Sequence, residues 1–332
     1  LNLFSYVFEP YFTTKQFENI ERVLKTLVNL EPKHVEHAQM AIAVRARLLA
    51  TKGEWAALPE ALSKADGVLT DAQYTTLLQQ LNSLSRNANR YDVADVLCNQ
   101  VIKNLPEDKK SIRVLAARFW AESAVITNQA ALPSRIEAML DSKLDPEDVS
   151  HIFQRHYYSI ISNPDVLKAM CALGNKMLPQ LKEKEASKSL QTMILDGAFV
   201  LEDYDTAVSI LESGIPDRDA EWHKMTLAKV RAHRAMKNNQ PREAVEFFRE
   251  FMGCVQNLKD EDTADPSTGV QHSKDMILGR NAKRIGDILA AIPDKDASTK
   301  AYAEARAYYD KALKTANKET QKIIEKELLE FP

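Results

Sequence analysis

The chain is 332 residues long, with 44 Lys and Arg set against 47 Asp and Glu for a formal net charge of −3. That balance gives no general attraction to nucleic acid, whose binders carry a basic excess, and no run of about 18 apolar residues is present to span a membrane. Hydrophobic residues make up 45% and glycines number only nine, a composition suited to helices and poor in tight turns.

In chain order, residues 1–14 form an aromatic-rich edge, LNLFSYVFEPYFTT. This edge is expected to pack on the first helical pair or to serve as a surface for self-association. It lacks the basic start of a signal peptide. The chain begins at Leu1 rather than Met, so the reading fits a soluble cytoplasmic protein and equally one exported after signal removal.

From 15 to 257 one pattern is written seven times. Each unit is an apolar helical stretch, a short polar break and a second apolar helical stretch. The second stretches start at Phe17, Trp55, Tyr91, Gln129, Val166, Tyr204 and Pro241, spaced 36 to 38 residues apart. Three residues on stand Ile20, Leu58, Ala94, Leu132, Ala169, Ala207 and Ala244; seven on stand Leu24, Leu62, Cys98, Ile136, Leu173, Leu211 and Phe248. Spacings of three and four put each pair on one helical stripe. Leu58-Pro59 and Leu132-Pro133 recur at the same place, and Pro is tolerated only in a first turn, so two second helices are expected to start late, near Leu58 and Leu132. First helices are predicted at about 34–51, 71–88, 108–127, 146–162, 184–201 and 219–237, with Asp71, Asp145 and Asp217 or Asp219 as caps or first-turn acids. Residues 258–332 diverge: a long polar break at 259–271, a helix at 273–292, a loop at 293–299, a helix at 300–316 and a charged capping helix at 318–329. Cys98 falls at an apolar stripe position and reads as a core filler, and three widely spaced cysteines imply no disulfide framework.

These residues carry a resemblance. Asn89-Arg90-Tyr91, Ala94, Cys98 and Pro106 resemble the second half of a tetratricopeptide (TPR) repeat, as do Tyr204, Ala207, Leu211 and Pro216, and again Ala305, Tyr309 and Ala312-Leu313. The first-helix signature departs from the family, with Asn82, Trp120, Tyr157 and Leu195 where a small residue is usual. The period also exceeds the family's about 34 residues. The resemblance implies an all-α superhelix, a TPR-like solenoid of about eight antiparallel helix pairs over 1–332, with a concave face that binds a partner.

Site chemistry is sparse. His34 and His37 flank Glu36, but zinc needs further ligands in a suitable arrangement, so the pair reads as a solvated helix start. The acidic run Asp260, Glu261, Asp262 and Asp265 has Asp265 and Gln271 where a calcium loop needs Gly and Glu. No Gly-x-Ser-x-Gly elbow, phosphate loop or dinucleotide fingerprint occurs. The chain is therefore expected not to be an enzyme and to need no cofactor or metal. Arg280, Lys283 and Arg284 cluster on one helix and form a candidate anion site; an ion pair with Asp287 is the plainer alternative. On the first helices, the expected inward polar positions are Arg47, Gln79, Arg86, Arg118, Gln154, Arg155, Tyr158, Asp196, Lys229 and His233. A groove of this kind suits an extended peptide, because Arg is well shaped for carboxylates. The expected function is a non-catalytic protein- or peptide-binding scaffold. The alternative is the repeat region of a larger enzyme or export-linked protein whose catalytic domain lies outside this chain.

Overall fold

The computed structural model describes residues 2–30, 34–65, 67–215, 219–258, 273–292, 294–316 and 318–331. Among them are seventeen α-helices and no β-strand. Helices α1 (Asn2–Thr13) and α2 (Phe17–Leu30) are followed by α3 (Val35–Lys52), α4 (Leu58–Ser63), α5 (Asp71–Asn87), α6 (Tyr91–Asn104), α7 (Lys110–Thr127) and α8 (Leu132–Asp141). Next come α9 (Pro146–Ile160), α10 (Pro164–Met177), α11 (Lys184–Val200), α12 (Tyr204–Ser213), α13 (Ala220–Lys237), α14 (Pro241–Asn257), α15 (Lys274–Ala291), α16 (Lys295–Thr315) and α17 (Lys318–Leu328). Chain contacts divide the molecule into two compact units, Leu1–Leu190 and Gln191–Pro332.

Five of the hairpins turn by the same backbone device. The residue two places before a second helix adopts the left-handed conformation at Lys15, Gly53, Asn89, Glu202 and Asn239. The next amide then reaches back five residues: Gln16 N to Tyr11 O, Glu54 N to Leu49 O, Arg90 N to Ser85 O, Asp203 N to Ala198 O and Gln240 N to Ala235 O, all at 2.7–2.9 Å. This is the paired bonding of a Schellman end, which satisfies carbonyls left over at a helix C-terminus. Glycine is the natural occupant of a left-handed site, and only Gly53 supplies it in these five turns. The N-termini are capped by side chains. Thr70 and Gln73 form a reciprocal capping box at α5, while Asp145, Asp203, Asp219 and Asp294 cap α9, α12, α13 and α16.

The first unit is built by neighbours in sequence. First helices α3, α5, α7 and α9 pack successively side by side, and the second helices α6, α8 and α10 lie against them. The apolar stripe is buried at Ile20, Leu58, Leu62, Cys98, Leu132, Ile136 and Leu173. One stripe position is corrected: Ala169 is exposed, and Met170 is buried in its place. Helix α10 starts at Pro164 behind an Asn163 cap rather than at Val166, while Val166 and Leu173 stay buried as expected. The aromatic edge is itself a helix, α1, and it packs on α2 and α3 with Phe8 and Phe12 against Ile20, Val44 and Leu48.

Charged side chains in this unit bridge one repeat to the next. Arg47 pairs with Glu9, Arg86 with Glu122, Lys109 with Asp71, Lys110 with Asp145, Lys143 with Glu107 and Lys176 with Glu137, at sequence separations of 35 to 39. Apart from the bidentate Arg47–Glu9 pair, they are solvent-facing and individually weak. Their separation equals the repeat length, so they favour one register of helix on helix. Two buried networks do more. The Arg135 guanidinium makes two bonds to the Asp95 carboxylate at 2.6 and 2.7 Å and a third to Trp120 O. Arg113, 4% exposed, donates to Ile102 O near the end of α6 and to Ser142 O just past α8. Buried cations need such partners, and the negative ends of two helices supply them here.

In the second unit α12 through α17 pack in chain order, each on the next. Helices α15 and α16 approach closely because Gly279 and Gly286, seven residues apart, receive the rings of Tyr309 and Tyr302. The expected loop over 293–299 is corrected. Helix α16 already starts at Lys295, since Asp294 caps it by accepting from Ala297 N. Helix α17 folds back with Ile324 buried against Met276, Tyr309 and Ala312.

Candidate functional site

The ten expected binding positions divide between the two units. In the first unit, Gln79, Arg86, Arg118, Arg155 and Tyr158 are exposed. Arg118 sits in an open hollow of about 580 Å³ with Thr75 of α5, Asp108 just before α7, Lys110, Ser111, Val114 and Leu115 of α7 and Asp148 of α9. The neighbouring Lys110 ammonium bridges Asp145 and Asp148 at 2.9 and 3.0 Å, and these bonds push its pKa up. Arg86 donates to Glu122 at 2.9 Å. Arg118 and Arg155 have no carboxylate within ion-pair distance among the described residues. Tyr158, 59% exposed, stands edge-on to the buried Tyr157 ring, with centroids 5.5 Å apart. Gln154 turns inward and donates to Ser150 Oγ at 3.1 Å.

Arg47 has a different setting. Both of its terminal nitrogens bond the Glu9 carboxylate, at 2.6 and 2.8 Å, and its guanidinium lies 4.3 Å over the Phe12 ring. The bonds from Arg47 hold the Glu9 carboxyl below the usual carboxylate range. Arg47 therefore clamps α1 onto α3.

In the second unit Asp196 is half-buried on α11, and Lys229 is buried with its ammonium 5.6 Å from the Phe251 ring centre. His233 is stacked on Tyr204 at 5.5 Å and meets Phe248 edge-on at 5.6 Å. The candidate anion cluster is engaged by the chain's own carboxylates. Arg280 Nη2 and Nε bond Glu327 at 2.6 and 3.0 Å, and Tyr309 Oη donates to the same carboxylate at 2.7 Å. Burial, with Glu327 beside it, pushes the Tyr309 phenol up. Lys283 lies 3.7 Å from both Asp287 and Glu330, so the intrahelical pair on α15 uses Lys283. Arg284 lies over the Phe248 ring and 3.4 Å from His233 Nε2. Arg280, Lys283, Arg284 and Lys326 line one open hollow of about 490 Å³ together with the three acids.

His34 and His37 meet ring to ring at 5.1 Å. Among the described residues no three His, Cys, Asp or Glu side chains converge as metal ligands, and no helix is long and apolar enough to cross a membrane. The acidic run at 260–265 and the 259–271 break lie outside the described residues. The cysteines Cys98, Cys171 and Cys254 are buried and form no disulfide with one another; burial pushes the Cys98 thiol up, with Asp95 adding to the effect.

Several groups carry polar structure that sequence reasoning passed over: Arg113, Arg135 with Asp95, and Glu327 with Tyr309. The surface pairs one repeat apart left a usable signal, because opposite charges recur at about the repeat length. No protein-family model matches this chain, and no curated protein is detectably similar to it.

Proposed function

We propose that the chain is a TPR-like helical-repeat scaffold that binds a protein or peptide partner and catalyses no reaction. The reading is supported by hairpins that follow one another at a near-constant period, five of which turn by one backbone device. The observation that carries it is the first-helix face of the first unit. There Arg118 and Arg155 stand exposed without a carboxylate partner among the described residues, beside Gln79 and the exposed ring of Tyr158. Unpaired guanidinium groups on a fixed helical frame suit carboxylates, since their planar fork matches a carboxylate bidentately. Asp196 and His233, with the clustered Arg280, Lys283 and Arg284, belong to the second unit and make a separate, more self-satisfied surface.

The test is crosslinking mass spectrometry on native lysate, followed by binding of the recovered partner to the purified chain. Crosslinks should concentrate on α5, α7 and α9. Arg118→Ala with Arg155→Ala should weaken binding by about tenfold or more, and affinity should fall as salt rises. A partner held with unchanged affinity by the double variant would exclude this face.

A further inference from the structure

Between α3 and α5 the same face of the first unit opens into a hollow of about 120 Å³. Met40, Ala43, Leu69 and Leu77 supply its apolar lining, and Glu36, Gln39, Gln73, Thr76 and Gln80 the polar part. A hydrogen-bonded frame keeps it open. Gln39 Nε2 donates to Val68 O at 2.9 Å, Gln73 Nε2 donates to Gln39 Oε1 at 2.9 Å, and Thr70 N donates to Gln73 Oε1 at 2.9 Å. These amides are committed to one another and to backbone, so they do not swing in to fill the space. Apolar cavities of about 150 Å³ accept a benzene ring, and a slightly smaller one suits a single Leu or Met side chain.

The hollow lies in line with the unpaired arginines. It sits along the first half of α3 and α5, at the level of Gln79, which is eight residues into its helix, as Arg118 is into α7; Arg155 is nine residues into α9. Packed helices are about 8–10 Å apart, and an extended strand advances about 3.3 Å per residue. A peptide crossing the helices with one side chain in the hollow therefore reaches Arg118 about four to five residues on and Arg155 about three residues later. Glu36 in the lining disfavours an acid beside the anchor, which leaves the acids for the arginine end.

We propose that this face binds an extended peptide bearing one aliphatic anchor, seated between α3 and α5, with an acidic residue about four to five positions away on Arg118 and a second about three further on Arg155. The proposal rests on the peptide-binding reading above and adds the chemistry and spacing of the partner.

The experiment measures fluorescence anisotropy of the full chain with synthetic Gly-Ser peptides carrying one Leu and two Glu at varied spacings. Affinity should peak near the stated spacing. It should fall about tenfold when the peptide Leu becomes Ser, or when Ala43→Phe fills the hollow, as expected for losing one buried aliphatic side chain. Because Ala43 also packs on the N-terminal core, Gln80→Trp in the lining serves as a second plug, and thermal melts verify that both variants fold. Binding that ignores the anchor and both plugs yet falls with Arg118→Ala would remove this inference and leave the peptide-binding reading intact. Absence of binding at every spacing would remove both.

Discussion

Arg113 and His156 show how single buried polar groups are handled here, and each leads to an expectation at the residue scale. Arg113 is held by two carbonyls at helix ends and by no carboxylate among the described residues. Arg113→Ala would leave both carbonyls short of a donor and open a cavity, at a cost of roughly 2–4 kcal/mol. Thermal or urea unfolding measures this, and Arg113→Lys should recover only part of the loss. His156 is 7% exposed with Nε2 unpaired. Burial lowers its pKa from near 6.5, the Arg155 charge adds to this, and Glu122 opposes it. A His whose folded pKa lies below its unfolded value leaves the unfolded chain with more bound protons in between. Stability from this group is therefore full above about pH 6.5 and declines as pH falls toward the lower folded value. His156→Phe removes the titrating group, so its melting temperature should drop less between pH 7 and pH 5 than that of the parent.

At the scale of elements, two helical glycines have opposite settings. A Cβ on Gly286 would lie 2.7 Å from Tyr302 ring atoms, whereas a Cβ on Gly253 in α14 meets nothing within 4 Å. Ala is the better helix former by about 1 kcal/mol. Gly253→Ala should therefore stabilise by up to about that amount. Gly286→Ala should destabilise by about 1–2 kcal/mol net, since overpacking outweighs the propensity gain. Urea denaturation of the two single variants decides both signs, and adding Tyr302→Ala to Gly286→Ala should relieve the clash specifically. Element limits were largely legible in the sequence: predicted starts at Phe17, Leu58, Tyr91, Leu132, Tyr204 and Pro241 coincide with helical starts, the late starts at Leu58 and Leu132 included. They were legible because apolar periodicity and Pro or Asp caps act locally. The start of α16 was misplaced because 294–299 is polar except for Ala297, follows Pro293, and its Asp294 cap looks like loop chemistry.

Across the whole molecule, packing runs between neighbours within each unit, so cooperativity is expected to be limited by how strongly adjacent helices couple. Equilibrium urea unfolding followed by hydrogen exchange should show protection lost in separate blocks. Arg113→Ala should lower protection in α6–α9, and Gly286→Ala in α15–α17, with additive effects in the double variant because the sites share no partner. A single coincident loss over all helices would contradict this expectation.

What the amino-acid order determined by itself was the succession of helices, their hairpin period and the buried stripe, because these depend on periodicity, capping and turn conformation within a few residues. The candidate site was legible only as a set of polar positions on first helices. Tertiary structure decided which of those are spoken for: Arg47 by Glu9, Arg280 by Glu327, Lys229 by burial beneath the Phe251 ring, while Arg118 and Arg155 remain without a carboxylate partner among the described residues. The physical reason is that a charge's availability depends on what lies within about 4 Å of it, and for most of these side chains that neighbour comes from another helix, one repeat or more away in sequence.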